Sequence, residues 1–245
     1  MRLNCDLGED VDGQGVGLDA QFMPFIDQAN IACGFHAGDP WTASKILDLA
    51  AQHGVAVGAH PSYLDRENFG RRSMKLDAAE LVAILHYQIG ALESLARSKG
   101  LELAYVKPHG ALYNDMMCCT GIRHVVMQAT ASYRPSLALM VLATSEYDKH
   151  LKEAAIFGIE LMAEAYVDRR YDDLGHLLPR DQAGAVLDEH KMMEQIDQLL
   201  NSSSVISVSG HELPLTIDSL CVHGDNPAAL ATIERIRERV PRLSN

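Results

Sequence analysis

The sequence predicts an α/β fold whose strands form a mainly parallel sheet or barrel. Short apolar runs alternate with helix-length segments along the 245 residues, and this alternation is typical of βαβ units. With 47% hydrophobic residues, a chain of this length can bury a large core. No low-complexity linker or break in composition divides the chain, so we expect a single domain over residues 1–245.

Eight short apolar segments are candidate strands. They are Arg2–Cys5, Gln28–Ala32, Val55–Ala59, Ala104–Val106, Leu137–Leu142, Ile159–Glu164, Val205–Val208 and Ser219–Val222. Candidate helices between or after them are Trp41–His53, Ala78–Ser98, Ile122–Ala131, Ser145–Phe157, Asp188–Leu200 and Ala228–Val240. Asp39 before Pro40, and Asp77 three residues before Glu80, are helix-start signals, because their carboxylates can accept from the first free backbone N–H groups.

Two regions interrupt this alternation. Residues Asp6–Gly17 contain four glycines and four acidic residues, a composition that indicates a flexible loop. Residues Val167–Pro179 mix charged and aromatic side chains, and long loops of this kind often bind ligands or cover active sites.

Composition excludes some classes of protein. The net charge is −12 with a pI of about 5.3, and no basic cluster marks a nucleic-acid-binding surface. No apolar run approaches membrane-spanning length, and no signal-peptide pattern is seen at the start. The five cysteines form no C-x-x-C pair, which fits free thiols in a reducing cytoplasm.

The most informative residues are four histidines that follow candidate strands: His36, His60, His109 and His223. Because the carboxyl ends of parallel strands meet at one end of a sheet or barrel, these side chains are expected to converge. Imidazole suits acid–base or metal chemistry near neutral pH. A lone strand-end histidine is more often structural, but four equivalent positions favour a shared pocket. Other histidines lie in helical patterns and are expected on helix surfaces: His53, His86, His124, His150 and His190.

Charged residues stand beside the same strand ends. Asp6 and Glu9 follow the first strand and suit a base, a metal ligand or a substrate contact; the alternative is a solvated acidic loop. Lys107 could neutralise an anionic substrate or a developing oxyanion; the alternative is a surface lysine. As a residue of the mouth, Lys107 is expected to contribute little to folding.

Two arginine-containing segments suggest anion binding. Glu164 closes a candidate strand, and Asp168 and Arg169 follow it, which suits a clamp for carboxylate or phosphate; the alternative is a surface ion pair. Arg71 and Arg72 could also place cations near a ligand. The sequence lacks a G-x-x-x-x-G-K-[ST] loop, a convincing G-x-G-x-x-G, an H-E-x-x-H pair and a nucleophile elbow, so covalent serine chemistry is disfavoured.

Several longer motifs closely resemble those of the LamB/YcsF family, and the resemblance spans nearly the whole chain. The segments that carry it are Leu3–Glu9, Gln28–Pro40, Gly58–Pro61, Phe69–Arg72, Val106–Asn114, Glu164, Asp168–Arg169 and Val222–Asp225. The resemblance implies a distorted β/α barrel of the glycoside hydrolase/deacetylase type, with seven strands favoured over eight. It also implies ATP-dependent opening of 5-oxo-L-proline to L-glutamate together with partner subunits B and C.

The resemblance and the strand-end pattern together assign expected roles. Candidate catalytic residues are Asp6, His36, His60, Lys107, His109 and His223; candidate substrate-binding residues are Glu9, Asn30, Glu164, Asp168, Arg169 and Asp225. ATP is expected as a co-substrate held mainly by the partner subunits.

Other interpretations stay open at this stage. A stand-alone metal-dependent deacetylase or hydrolase could use Asp6, His36, His60 and His109 as ligands for a divalent ion. A non-catalytic carbohydrate-binding or regulatory protein is the other alternative. Whether a metal is bound, and whether the chain forms a homodimer, cannot be read from the sequence.

Overall fold

Seven parallel strands close a barrel at the centre of the computed structural model, which describes residues 1–9, 15–134, 136–180, 182–223 and 227–242. In chain order the strands are β1 (Arg2–Leu7), β2 (Gln28–Ala32), β3 (Ala56–His60), β4 (Leu103–Val106), β5 (Ala138–Leu142), β6 (Leu161–Tyr166), β7 (Ser204–Ile206), β8 (Glu212–Pro214) and β9 (Ser219–His223). The barrel closes in the order β1-β2-β3-β4-β5-β6-β9, and β7 pairs with β8 in a separate antiparallel ribbon. The predicted seven-stranded α/β barrel is confirmed.

Helices connect the strands. They are α1 (Gly15–Phe22), α2 (Pro40–His53), α3 (Ala78–Ser98), α4 (Gly110–Cys118), α5 (Thr120–Tyr133), α6 (Tyr147–Phe157), α7 (Glu189–Ser202) and α8 (Pro227–Arg239), with single 3₁₀ turns at Met23–Phe25 and Arg66–Asn68. The predicted caps are confirmed: Asp39 accepts from the backbone N–H groups of Trp41 and Thr42, and Asp77 accepts from that of Glu80. In the part of the chain that the structure describes, no helix is both long enough and apolar enough to cross a membrane.

The alternation of side chains along β1 separates an apolar layer from a polar one. Leu3, Cys5 and Leu7 are fully buried in the hydrophobic core. Asn4 and Asp6, the residues between them, take part instead in a hydrogen-bond network inside the barrel. A period of two residues is what a strand with two different faces requires. The barrel interior thus supplies polar groups directly below the end where the strands finish.

That interior network links strands that are distant in sequence. Asn4 Nδ2 donates to Ser219 Oγ at 2.7 Å, and Asn30 Nδ2 donates to Asn4 Oδ1 at 2.8 Å. The Tyr105 hydroxyl donates to Asn30 Oδ1 at 2.6 Å. Buried polar groups are costly unless they are hydrogen-bonded, so this network makes the strand order and register of the barrel interdependent.

Several predicted elements differ from the observed ones. The candidate strand Val205–Val208 overlaps β7, which lies outside the barrel because it pairs antiparallel with β8. The predicted loop Asp6–Gly17 is shorter: β1 continues through Leu7 because Asp6 finds partners inside the barrel, and α1 begins at Gly15. Helix α4 was not predicted as a helix.

One histidine and one lysine were also misplaced by the sequence interpretation. His150 is 1% exposed rather than on a helix surface, because α6 packs against α5. Lys107 is likewise 1% exposed, so it is a core residue rather than a contributor of few contacts.

The close approach of Tyr105 to Gly58 predicts a strongly destabilised Gly58→Ala variant. A Cβ atom at residue 58 would lie 2.2 and 2.4 Å from Cε2 and Cζ of the buried Tyr105 ring. Because that ring is held by its bond to Asn30, we expect the free energy of unfolding to fall by about 3 kcal/mol.

Urea titration followed by circular dichroism measures this change. Gly90→Ala is the matched control: its new methyl group would meet nothing closer than 3.6 Å, and a helix-interior alanine should stabilise by up to about 1 kcal/mol. Equal stability of the two variants would show that the Gly58–Tyr105 contact is not a constraint.

Candidate active site at the mouth of the barrel

A cavity of about 660 Å³ lies at the end of the barrel where the strands finish. Residues that line it from strand ends and the loops after them are Asp6, Glu9, His60, Lys107, His109 and His223. Its lining also includes Arg71, Arg169 and Arg180. The chain as a whole is acidic, so the cations are concentrated where a ligand would bind.

Lys107 forms the electrostatic centre of the cavity floor. Its Nζ lies 2.8 Å from Asp6 Oδ1 and 3.1 Å from Glu164 Oε2. The first contact is an aligned hydrogen bond, whereas the second is an ionic contact. Asn30 Nδ2 donates to the same oxygen of Asp6 at 2.7 Å, and the Tyr166 hydroxyl donates to Glu164 Oε1 at 3.1 Å. The carboxylates are therefore compensated by both charge and hydrogen bonds.

The charges of this group support one another. Burial alone would raise the pKa of Asp6, but the charge of Lys107 and the contact of His60 outweigh burial and hold that pKa well below its usual range. Burial alone would lower the pKa of Lys107, but Asp6, Cys221 and Glu164 outweigh it and keep the pKa well above its usual value. The floor thus keeps a permanent ammonium group and an ionised Asp6 at neutral pH.

A second group, the histidine cluster, consists of Glu9, His36, His60 and His109. Glu9 Oε1 lies 3.1 Å from His36 Nε2, 3.4 Å from His60 Nε2 and 2.9 Å from His109 Nδ1. His60 Nε2 and His109 Nδ1 are 3.0 Å apart. The four side chains each offer one ligand atom within 4.8 Å of the others.

Loop contacts hold the histidine cluster in place. Asp19 accepts from the Gly8 N–H at 2.8 Å, next to Glu9. Arg66 Nη1 donates to the carbonyls of Gly34 and Gly38, on either side of His36.

The turn at Phe69 and Gly70 packs directly on the cluster. Both residues have positive φ, 55° and 64°, which is rare for a phenylalanine. The Phe69 carbonyl lies 2.9 Å from His109 Nε2. A Cβ on Gly70 would lie 2.8 Å from His36 Cβ, so glycine is required where this turn meets the histidines.

The protonation of two cluster histidines differs sharply. Burial, aided by the charge of His109, lowers the pKa of His36 to about 3. For His60, burial acts in the same direction, but Asp6 and Glu9 outweigh it and raise the pKa to about 9. Without a bound cation, His60 would therefore carry a proton at neutral pH and His36 would not.

His223 belongs to a separate pair on the other side of the cavity. Its Nδ1 lies 3.0 Å from both carboxylate oxygens of Asp168, and its ring stacks on Tyr166 at 5.1 Å. Because a carboxylate only accepts, Nδ1 carries the proton and Nε2 is left with a lone pair. Neutral His223 is thereby fixed in the tautomer that can accept a proton at Nε2.

The structure brings most of the predicted site residues to one end of the barrel, but with different partners from those expected. Glu9, rather than Asp6, supplies the oxygen nearest to all three clustered imidazoles. Asn30, Glu164 and Asp168 are fully or almost fully buried, and the lining of the cavity does not include them. Each supports a residue that does line it, which differs from the predicted direct contact with substrate.

The predicted clamp of Glu164 with Arg169 takes another form. Glu164 faces Lys107, and Arg169 Nη2 donates to the Leu178 carbonyl at 2.5 Å, which ties it to the loop after β6. The guanidinium still lines the cavity. Asp225, predicted to bind substrate, lies outside the described residues.

Sequence reasoning missed two contributors to the cavity. Tyr166 supports Glu164 and stacks on His223; its position at the end of a strand, two residues after Glu164, was an available signal. Arg180 follows an irregular loop and carries no local pattern that could have identified it. Cys221, whose Sγ lies 3.2 Å from Lys107 Nζ, was interpreted only as a buried thiol.

Comparisons with known proteins agree over the length of the chain. The LamB/YcsF family model matches residues 1–244. A Pseudomonas aeruginosa protein, named as the third A-subunit of 5-oxoprolinase, is 46% identical over 99% of this chain and 97% of its own length. A Vibrio cholerae protein, named as the A-subunit of 5-oxoprolinase, is 47% identical over 97% of this chain and 96% of its own.

A solved structure shows the same fold. The crystal structure of a lactam utilization protein from Thermus thermophilus superposes with a TM-score of 0.87 at 36% identity, covering 98% of this chain and 95% of that one. Sequence motifs, a closed seven-stranded barrel and whole-length similarity therefore lead to one conclusion: the chain is a member of the LamB/YcsF family.

Proposed function

We propose that this protein is the A-subunit of an ATP-dependent 5-oxoprolinase, which hydrolyses the ring amide of 5-oxo-L-proline to give L-glutamate. Partner subunits B and C would complete the enzyme and hold most of the ATP, since the sequence contains no phosphate-binding loop. The names of the relatives and of the lactam utilization protein support this assignment. The cytoplasm is the proposed compartment, because five unpaired cysteines are stable there.

The observation that carries the proposal is the pairing of arginines with acid–base groups around one cavity. A cyclic amino acid derivative such as 5-oxoproline has a carboxylate at one end and an amide at the other. Arg71, Arg169 and Arg180 line the cavity, and guanidinium groups bind carboxylates by paired hydrogen bonds. Lys107 and His223 also reach the cavity, so the amide would lie beside groups that can move protons and stabilise charge.

The chemistry requires activation because a five-membered amide ring is unstrained. Transfer of the γ-phosphoryl group of ATP to the amide oxygen breaks its bond to ADP, removes the N–H proton and gives a cyclic imidate phosphate. Water then adds to that carbon, the ring C–N bond breaks, and the nitrogen takes a proton to become the amine of glutamate. A second water releases phosphate from the resulting acyl phosphate. Two waters are consumed overall, one for the ring and one for ATP.

The residues of this chain suit distinct steps of that sequence. His223, oriented by Asp168, would accept a proton from the attacking water at Nε2. Lys107 would stabilise negative charge on the activated oxygen, while Asp6 and Glu164 keep it protonated and in place. His60, which carries a proton when its neighbours are ionised, would supply one to the leaving nitrogen.

Reconstitution tests the assignment. The purified chain alone should neither open 5-oxoproline nor hydrolyse ATP, whereas the chain mixed with subunits B and C should release glutamate and ADP in a 1:1 ratio. Glutamate by amino-acid analysis and ADP by a coupled assay measure both products. Ring opening by the single chain without ATP would instead identify a stand-alone hydrolase.

The two neighbouring arginines provide a matched pair for substrate binding. Arg71 lines the cavity, where its guanidinium lies over the Phe69 ring at 4.7 Å, whereas the lining does not include Arg72. Since a charge-assisted hydrogen bond contributes about 1.5–3 kcal/mol, Arg71→Ala should raise the KM for 5-oxoproline about 10- to 100-fold in the reconstituted enzyme. Arg72→Ala should leave the KM within about twofold of wild type. Equal effects of the two substitutions would remove Arg71 from the binding site.

The buried ion pairs predict that Lys107→Ala destabilises the fold, contrary to the expectation from sequence. Removing the ammonium leaves Asp6 and Glu164 buried without a counter-charge, which should cost about 3–5 kcal/mol at pH 7. In this variant, burial raises the carboxylate pKa values above those of the unfolded chain. The folded state then binds more protons, and the loss of stability should shrink as the pH falls from 8 to 5.

Urea titrations at both pH values measure the effect. Lys149→Ala, which breaks an exposed pair with Glu146, is the control and should change stability by less than about 1 kcal/mol. A Lys107→Ala variant as stable as the control, or one whose deficit is independent of pH, would contradict the proposed charge compensation.

A further inference from the structure

We propose that Glu9, His36, His60 and His109 form a binding site for one divalent transition-metal ion of the Zn²⁺ class. The inference rests on contacts among these side chains and stands whether or not the proposed substrate is correct. It differs from the set of candidate ligands expected from sequence, because Glu9 takes the place of Asp6.

The first argument is the direction in which the lone pairs point. His60 Nδ1 lies 2.7 Å from the Lys107 carbonyl, and His109 Nε2 lies 2.9 Å from the Phe69 carbonyl. A carbonyl only accepts, so each of these nitrogens carries its proton. In the neutral rings the opposite nitrogens, His60 Nε2 and His109 Nδ1, are therefore unprotonated, and they face one another at 3.0 Å.

The second argument is that one proton cannot satisfy this arrangement. A proton on His60 Nε2 could be donated to His109 Nδ1, but the lone pair of His109 would still lie 2.9 Å from Glu9 Oε1. Moving the proton to His109 leaves the lone pair of His60 3.4 Å from the same oxygen. A cation at the centre of the cluster attracts all of these electron pairs at once.

The third argument is size. A tetrahedral site with bonds of about 2.0–2.1 Å has ligand–ligand separations of about 3.3 Å. The separations of Glu9 Oε1 from the three imidazole nitrogens are 2.9, 3.1 and 3.4 Å, and the His60–His109 separation is 3.0 Å. An ion could therefore enter with small movements of the side chains.

The surroundings also match those of metal ligands. Ligating histidines usually donate their other ring N–H to a carbonyl or carboxylate, as His60 and His109 do here. His36 lacks such an acceptor, and its buried Nδ1 has no hydrogen-bond partner among the described residues. Three imidazoles with one carboxylate favour Zn²⁺ and similar ions over Mg²⁺ or Ca²⁺, which prefer oxygen ligands.

The site touches the proposed reaction space. Glu9, His60 and His109 all line the cavity. A bound ion of this class would supply a Lewis acid next to the substrate amide. Asp6 Oδ2, 3.5 Å from His60 Nε2, would link that ion to the Lys107 charge group.

Metal binding by the isolated chain tests the proposal without any turnover assay. The chain, with its affinity tag removed, is stripped with a chelator, loaded with Zn²⁺, passed through gel filtration and analysed by mass spectrometry of the elements. About one equivalent of Zn²⁺ should be retained, and Co²⁺ should give the intense visible bands of a four-coordinate site. Folded wild-type protein that retains no Zn²⁺, or only the weak bands of six-coordinate Co²⁺, would overturn the proposal.

Variants locate the ion. Glu9→Gln, which keeps the side-chain shape, and His109→Ala should each weaken Zn²⁺ binding at least about 100-fold, while circular dichroism shows that they remain folded. His53→Ala, on an exposed helix end, should bind as wild type does.

His223→Ala tests the other group of potential ligands, Asp6, Cys221 and His223, and should also leave Zn²⁺ binding unchanged. Loss of binding in His223→Ala with retention in folded Glu9→Gln and His109→Ala would move the ion away from the histidine cluster and refute the assignment.

Discussion

The structure depends on one buried ammonium group placed between two carboxylates. Lys107 follows β4, Asp6 lies on β1 and Glu164 on β6, so three separate parts of the barrel wall meet at a single charge. Ions of either sign would be expensive at this depth if left alone. The hydrogen bonds from Asn30 and Tyr166 complete the compensation, and they explain why so much of the barrel interior is polar.

This arrangement also divides the mouth into two halves with different electrostatic character. On one side, three imidazoles surround Glu9 and use backbone carbonyls to fix the orientation of two rings. On the other, His223 is held by Asp168 and Tyr166. Lys107 lies between them. A ligand in the cavity would therefore meet fixed dipoles and charges on both sides, which is the preorganisation that favours charge development during a reaction.

The sequence was sufficient for the architecture and for the location of the site, but not for the pairing within it. Alternating apolar segments and helix caps such as Asp39 and Asp77 are local signals, and they identified most elements. The positions of His60, His109 and His223 after strands followed from the same logic. Which carboxylate faces which cation is set by barrel closure and register. Glu9 and Asp6 are three residues apart in the chain, yet one meets the histidines and the other meets Lys107.

Burial was the other quantity that local patterns could not supply. Lys107 and His150 are polar residues whose sequence neighbours suggested a mouth and a helix surface, but both lie in the interior. In each case the cause is contact with an element far away in sequence.

The pairing of β1 with β9 has a consequence for how the protein forms in the cell. Asn4 binds Ser219 across a separation of 215 residues, and β9 also pairs with β6. During synthesis, the first strand of the barrel is therefore made long before its final neighbour leaves the ribosome. Until then, the edges of β1 and β6 lack their β9 partner, and unpaired strand edges of this kind promote aggregation. The nascent chain is thus expected to need protection for longer than a protein whose neighbouring strands are made in succession.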